Sequence, residues 1–267
     1  MFLGSAIEAV RIGGEVLLAH RGRRPTGIDE KGLNDFVTDV DRASQRAVVE
    51  YLRGRHPDHS ILAEEEEAHT GSEPYQWIID PLDGTTNYIH DYPCYSVSVG
   101  VWCGNEAVAG AVLDPVRPEL FHAERGGGAW LQAGSEEPRR IHVSDAAGLD
   151  GSLLVTGFPV RRIDQLDEYL RSFRELLARS CGVRRDGSAA LDLCHVAAGR
   201  LDGFWEQGLS AWDLAAGAIL VEEAGGIITD YRGEQGYLDS GDVVAATPGV
   251  HGELLGVLQA HHEGGEW

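Results

Sequence analysis

The sequence predicts an α/β (α+β) fold in which helices cover the sheets. Three observations carry that prediction. Apolar residues recur at helical spacing from Val40 to Arg53, four β segments follow one another from Tyr95 to Leu131, and strand and helix patterns alternate after about Val143.

At the N-terminus Ile7, Val10, Val16 and Leu17 suit one face of a helix. Glu8, Arg11 and Glu15 interrupt the run, so it reads as neither a signal peptide nor a membrane span. In the next helix Val40, Ala43, Ala47, Val48, Tyr51 and Leu52 form the apolar stripe, with Thr38 as cap and His56-Pro57 as stop. A short strand, Ser60 to Ala63, runs into four consecutive glutamates. Trp77-Ile78-Ile79 is a buried strand expected to end at Asp80-Pro81, because proline cannot continue a ladder. The segments YSVSVGVWC, AVAGAVLD, ELFHAE and GAWLQ, punctuated by Gly, Asn and Pro, predict an antiparallel meander.

Beyond it the expected elements are a strand at Leu153-Leu154-Val155, a helix over 164–179, a strand at Val183-Arg184 and a helix over 188–199. A strand at 202–205, a helix over 214–224 and strands near 227–229 and 243–246 complete the prediction. The Gly- and acid-rich stretch around 134–150 divides one unit into an α+β half, 1–143, and an α/β half, 144–267.

The chain of 267 residues has 22 Lys and Arg against 43 Asp and Glu, a net charge of −21, and a single lysine, Lys31. Nucleic-acid binding through a basic surface is therefore not expected, because clustered cations are scarce. An anionic substrate would need metal cations to offset the repulsion. Cys94, Cys103, Cys181 and Cys194 show no CxxC pair, which fits a reducing, cytoplasmic setting.

Acids stand where three segments should end: Glu64-Glu65, Asp80-Pro81-Leu82-Asp83-Gly84-Thr85-Thr86-Asn87, and Trp212-Asp213. A tight turn through Pro81 can aim Asp80 and Asp83 into one space, and the Leu82 carbonyl could join them. Such a hard oxygen set suits Mg²⁺ rather than zinc or copper. Taken singly, Asp83-Gly84 is a common turn pair, Asp213 could favour a helix N-terminus, and the extra Glu66 and Glu67 read as solvated surface. The 11 histidines are scattered, with no HxxxH. Gly84-Thr85-Thr86-Asn87 could open a helix whose free N–H groups cradle phosphate.

The run Trp77 to Asn87 resembles the first signature of the inositol monophosphatase family. The second signature resembles Trp212 to Gly217 followed by Glu223-Ala224-Gly225-Gly226. The likeness extends to Lys31–Asp41 and Gly187–Asp192, in order and spacing, over about residues 5 to 260. Ala63 departs from it, standing where the family usually has glycine.

The resemblance implies a layered αβαβα sugar-phosphatase fold with the site between the halves. It makes Glu64, Asp80, the Leu82 carbonyl, Asp83 and Asp213 the ligands of two or three Mg²⁺ ions, with Asp80 bridging. Thr85 and Asp41, with Glu64, match the residues that activate the attacking water. Gly84 and Thr85 would hold phosphate through backbone N–H groups. Asp83, Ser188, Ala189, Glu206 and Asp213 would approach the organic part of the substrate. Lys31 falls in the segment that closes near the third ion in relatives. Homodimerisation and lithium sensitivity follow as family expectations.

The expected activity is Mg²⁺-dependent hydrolysis of inositol monophosphate, a phosphoric monoester. Fructose 1,6-bisphosphate and other small phosphomonoesters are the alternatives, favoured less by GSAALDL and WEQGLSAWD. An aspartyl-phosphate mechanism through Asp39-Val40-Asp41 lacks an apolar strand leading into it. A metal-binding regulatory protein on the same fold is the non-enzymatic alternative.

Overall fold

The structure, a computed structural model, describes residues 2–22, 27–32, 35–160 and 162–262. For Lys31, Glu66 and Glu67 only the backbone is described, so the expectations placed on their side chains lie outside it. Helix α1 (Phe2–His20) buries Ala6, Ala9, Val10, Gly13 and Leu17. Its inner face is thus built mainly of small side chains, and Ile7 and Val16 sit half-buried at its flanks. Strands β1 (Asp29–Gly32) and β2 (Asp35–Val37) pair antiparallel ahead of α2 (Asp39–Arg55). Thr38 caps α2 as expected: its hydroxyl accepts from the N–H groups of Val40 and Asp41, and its own N–H donates to the Asp41 carboxylate.

Strand β3 (Ser60–Ala63) turns back into β4 (Glu66–His69), so the acidic run contains a strand that its composition concealed. Strand β5 spans Tyr75–Asp83, longer than expected. Pro81 does not end it. Asp80 faces Ser98 and Asp83 faces Ser96, so one extra residue is accommodated as a bulge around the proline. A short helix, α3 (Thr85–Ile89), follows. The meander forms as β6 (Ser96–Cys103), β7 (Glu106–Asp114), β8 (Glu119–Glu124) and β9 (Gly128–Ala133), with β10 (Arg139–Ile141) added at its edge.

The later elements are β11 (Leu153–Thr156), α4 (Leu166–Arg179), β12 (Gly182–Arg184), α5 (Ala189–Ala197), β13 (Gly203–Glu206) and α6 (Ala211–Glu223). They are followed by β14 (Ile227–Thr229), α7 (Tyr237–Ser240), β15 (Val243–Ala246) and α8 (Pro248–His261). The last helix was not anticipated. Gly249, Gly252 and Gly256 weaken its propensity, while Pro248 at its start and the buried Val250, Leu254, Val257 and Leu258 hold it.

The first sheet has eight strands in the order β10-β9-β8-β7-β6-β5-β3-β4, antiparallel except where β3 runs alongside β5. The second has five, β12-β11-β13-β15-β14. Helices α1 and α2 cover one face of the first sheet, α5 and α6 lie between the sheets, and α4 and α8 cover the second. The result is αβαβα layering. Helix α6 lies close against the first sheet because Gly100 and Gly110 face it. A Cβ on Gly100 would stand 2.9 Å from the Ala215 carbonyl carbon, and one on Gly110 would stand 3.0 Å from the Ala216 Cα. Trp102 fixes the contact, its indole N–H donating to the Ala215 carbonyl at 3.1 Å. That approach brings the start of α6, with Asp213, to the end of β5.

Candidate active site

Strands β3 and β5 are parallel, with Ala63 beside Ile79, so the residues that follow, Glu64 and Asp80, emerge at the same end of the sheet. The bulge in β5 then turns Asp83 toward the same space. Asp80 Oδ1 accepts from the Leu82 N–H at 3.0 Å, which tightens the turn. Asp83 Oδ2 accepts from the Ser188 hydroxyl at 2.6 Å and the Ala190 N–H at 2.8 Å. A carboxylate from β5 thus satisfies the N-terminus of α5, where the Ser188 side chain makes no cap of its own. Asp213 sits in the first turn of α6 and accepts from the Ser210 N–H at 2.7 Å.

The carboxylates of Asp80, Asp83 and Asp213 bring ligand oxygens within 4.8 Å of one another, and all three residues are buried. Burial pushes the Asp80 carboxyl well above the usual carboxylate range, reinforced by Glu64, Asp83 and Asp213. Burial, with Asp213 beside it, pushes Asp83 up to about 7 against the pull of its Ser188 and Ala190 hydrogen bonds. Like charges crowded in a low-dielectric space favour either a proton or a cation. The donors are hard oxygens, so they fit Mg²⁺.

Next to this cluster Thr85 presents one hydroxyl proton to two acceptors, Asp41 Oδ1 at 3.0 Å and the Leu82 carbonyl at 3.1 Å. Asp41 is fully buried, its other oxygen held by Thr38 at 2.5 Å from the hydroxyl and 2.9 Å from the N–H. Burial raises its pKa despite those hydrogen bonds. Gly84 has φ of 94°, and a side chain there would meet the Cys94 carbonyl at 3.0 Å, so glycine is required on both counts.

A recess of about 140 Å³ is lined by Glu64, Asp80, Leu82, Asp83, Gly84, Thr85 and Asp213 among others. A second, of about 150 Å³, is lined by Ala189, Glu206 and Gly157, and shares Asp83, Arg185, Gly187 and Asp213 with the first. The structure therefore gathers Glu64, Asp80, Leu82, Asp83, Gly84, Thr85, Ala189, Glu206 and Asp213 around two adjoining spaces. Asp41 reaches them through Thr85. Ser188 lines neither recess; its hydroxyl is directed to Asp83.

Sequence reasoning singled out neither Phe36 nor Arg185, and took Asn87 only as part of the Gly84-Thr85-Thr86-Asn87 run. Asn87 lies within the first signature, and its amide donates to the Cys94 carbonyl at 2.7 Å and the Asp186 carbonyl at 2.9 Å, tying the two sides of the site together. Arg185 is the one cation among the described lining residues and stacks over Phe158 at 5.2 Å. It stands just ahead of the Gly187-Ser188 motif, which was the signal available.

A sequence model of the inositol monophosphatase family matches residues 2–263. The chain belongs to the inositol monophosphatase family. Nus factor SuhB of Pseudomonas aeruginosa is 45% identical over 265 residues, covering 97% of this chain and 96% of that one. The extragenic suppressor protein SuhB of Bartonella henselae superposes with a TM-score of 0.91 at 35% identity, covering 97% and 98% of the two chains. The inositol monophosphatase of Anabaena gives 0.85 at 42% identity, covering 97% and 95%. The αβαβα layering is therefore the inositol monophosphatase fold. Among the described residues no helix is long and apolar enough to cross a membrane.

Proposed function

We propose that this protein hydrolyses inositol monophosphate to inositol and phosphate in the cytoplasm, using two or three Mg²⁺ ions. The observation that carries the reading is the buried trio Asp80, Asp83 and Asp213 beside a Thr85–Asp41 hydrogen bond. Glu64, Asp80 and the Leu82 carbonyl would hold one ion, and Asp80, Asp83 and Asp213 a second. When bound, Mg²⁺ supplies Lewis-acid charge that activates water and offsets the phosphate's negative charge.

The chain's own residues perform the proton transfer. Thr85 Oγ1 can take a proton from the attacking water while passing its own to Asp41 Oδ1, as the water oxygen bonds to phosphorus, the ester P–O bond breaks and the leaving inositol oxygen takes a proton from a solvent water. A threonine hydroxyl is a poor base alone, and Asp41, made more basic by burial, supplies what it lacks. The N–H groups of Gly84 and Thr85 open α3 toward the phosphate, while Asp83, Ala189, Glu206 and Asp213 line the space for the polyol. Ser188, whose hydroxyl donates to Asp83, would act on the substrate through that carboxylate. The site would lie at the junction of the halves 1–143 and 144–267, in a lithium-sensitive homodimer. An aspartyl-phosphate route is disfavoured by the burial of Asp41 in the first turn of α2.

The relatives named Nus factor favour one second reading, a binding role carried by the same fold. Phosphate release from inositol 1-phosphate and fructose 1,6-bisphosphate, with and without Mg²⁺, tests the first. Asp213→Asn should lower the Mg²⁺-dependent rate by at least about a hundredfold with the fold kept. Absence of Mg²⁺-dependent release from the wild-type chain would remove the enzymatic reading and leave the binding role.

A further inference from the structure

Helix α5 carries a second group of possible ligands beyond the turn that holds Asp83. Asp192 and His195 are three residues apart on it and so share a face. Asp186, in the loop ahead of the helix, joins them. One ligand atom from each of Asp186, Asp192 and His195 lies within 4.8 Å of the others. Asp192 is 1% exposed, and its Oδ1 has no hydrogen-bond partner. An unpaired oxygen of a buried carboxylate is costly, and it marks a missing partner. The principal charged neighbours that act on this carboxyl include Glu206, Asp186 and Asp83, all acids, against Arg185 alone. Burial, with Arg200 and Arg117 nearby, holds the His195 imidazole down to about 4, so it is neutral and keeps a lone pair for a ligand.

We propose that Asp186, Asp192 and His195 form a second divalent-cation site, separate from the all-oxygen cluster and selective for zinc-type ions. An imidazole with two carboxylates suits Zn²⁺, with three protein ligands and an open position, whereas Mg²⁺ prefers oxygen alone. A cation there would also steady the loop that serves the recesses. The Asp186 carbonyl already accepts from Asn87, and the adjoining Arg185 and Gly187 line both spaces.

The test uses the full chain, freed of metal by chelation, with Mg²⁺ at saturation to fill the all-oxygen cluster. Calorimetric titration with Zn²⁺ should show one equivalent bound. His195→Gln and Asp192→Asn should each weaken it at least tenfold, and Asp213→Asn should leave it in place. Lack of that equivalent, or its survival in a folded His195→Gln variant, overturns the proposal. The exposed thiol of Cys181 is the obvious rival donor. Co²⁺ bound to the unaltered chain provides a readout that depends on no variant. Its spectrum should lack a thiolate charge-transfer band, and the presence of that band overturns the site.

Discussion

Ser188 carries a role expected from the sequence and a bond seen in the structure that point in different directions. Its place in the GSAALDL segment marks it for the site, but its hydroxyl donates to Asp83 at 2.6 Å and lines neither recess. A group that orients a metal ligand changes metal affinity before it changes substrate binding. Ser188→Ala is therefore expected to raise the Mg²⁺ concentration for half-maximal activity by about 10- to 100-fold. Ser188→Thr, which keeps the hydroxyl, should restore most of it. A rise in KM for substrate at unchanged Mg²⁺ dependence would return Ser188 to the substrate. The bond itself was not legible in the sequence: Ser188 and Asp83 are 105 positions apart, and no local pattern records which acceptor a hydroxyl will find.

At the scale of elements, the docking of α1 depends on a ring cluster that is sensitive to protons. Phe2 lies 4.7 Å from Tyr75 between ring centroids, and His56 stacks on His59 at 4.8 Å. The Trp77 indole N–H donates to His59 Nδ1 at 3.0 Å, which requires that nitrogen to be unprotonated. His56 pairs with the Ser5 hydroxyl of α1 at 2.9 Å. Burial lowers the pKa of both histidines below the ordinary 6.5. The unfolded chain therefore takes up protons that the folded chain refuses, and stability is lost as pH falls below about 6.5. Between pH 7.5 and 5 the urea midpoint of the wild-type chain should fall relative to that of His59→Gln, a comparison that cancels the opposite contribution of Asp83; a difference that stays constant with pH would discard the assignment.

The same scale shows what was legible in the sequence. Helix α2 and strands β6 to β9 declare themselves through periodicity and turn residues, because one face of each packs on a core. Strand β4 is written in glutamates and α8 is diluted by glycines, so composition opposes the local structure that pairing and packing enforce. The metal-type acids were readable because they sit in compact motifs. Arg185 and the Asp186–Asp192–His195 group were not, since neither falls into a spacing that singles it out.

For the whole molecule, a net charge of −21 has two separable consequences. Dispersed surface acids repel one another, and any salt relieves that repulsion by screening. The buried trio behaves differently, because screening by bulk ions reaches it poorly. In the metal-free chain Asp83 holds its proton up to about 7, against 3.8 for an ordinary aspartate. The folded state thus binds more protons than the unfolded one across that window, and this contribution to stability is lost as pH rises through it. Mg²⁺ can take the place of those protons. A ligand at a hundred times its Kd stabilises the folded state by about 2.7 kcal/mol. At pH 7.5 Mg²⁺ should therefore raise Tm beyond NaCl of equal ionic strength, and the excess should shrink toward pH 5 as protons compete for the carboxylates. Asp213→Asn should reduce the Mg²⁺ excess while leaving the NaCl effect intact. Equal effects of the two salts at every pH would mean that the acids of this chain act only as a diffuse charge.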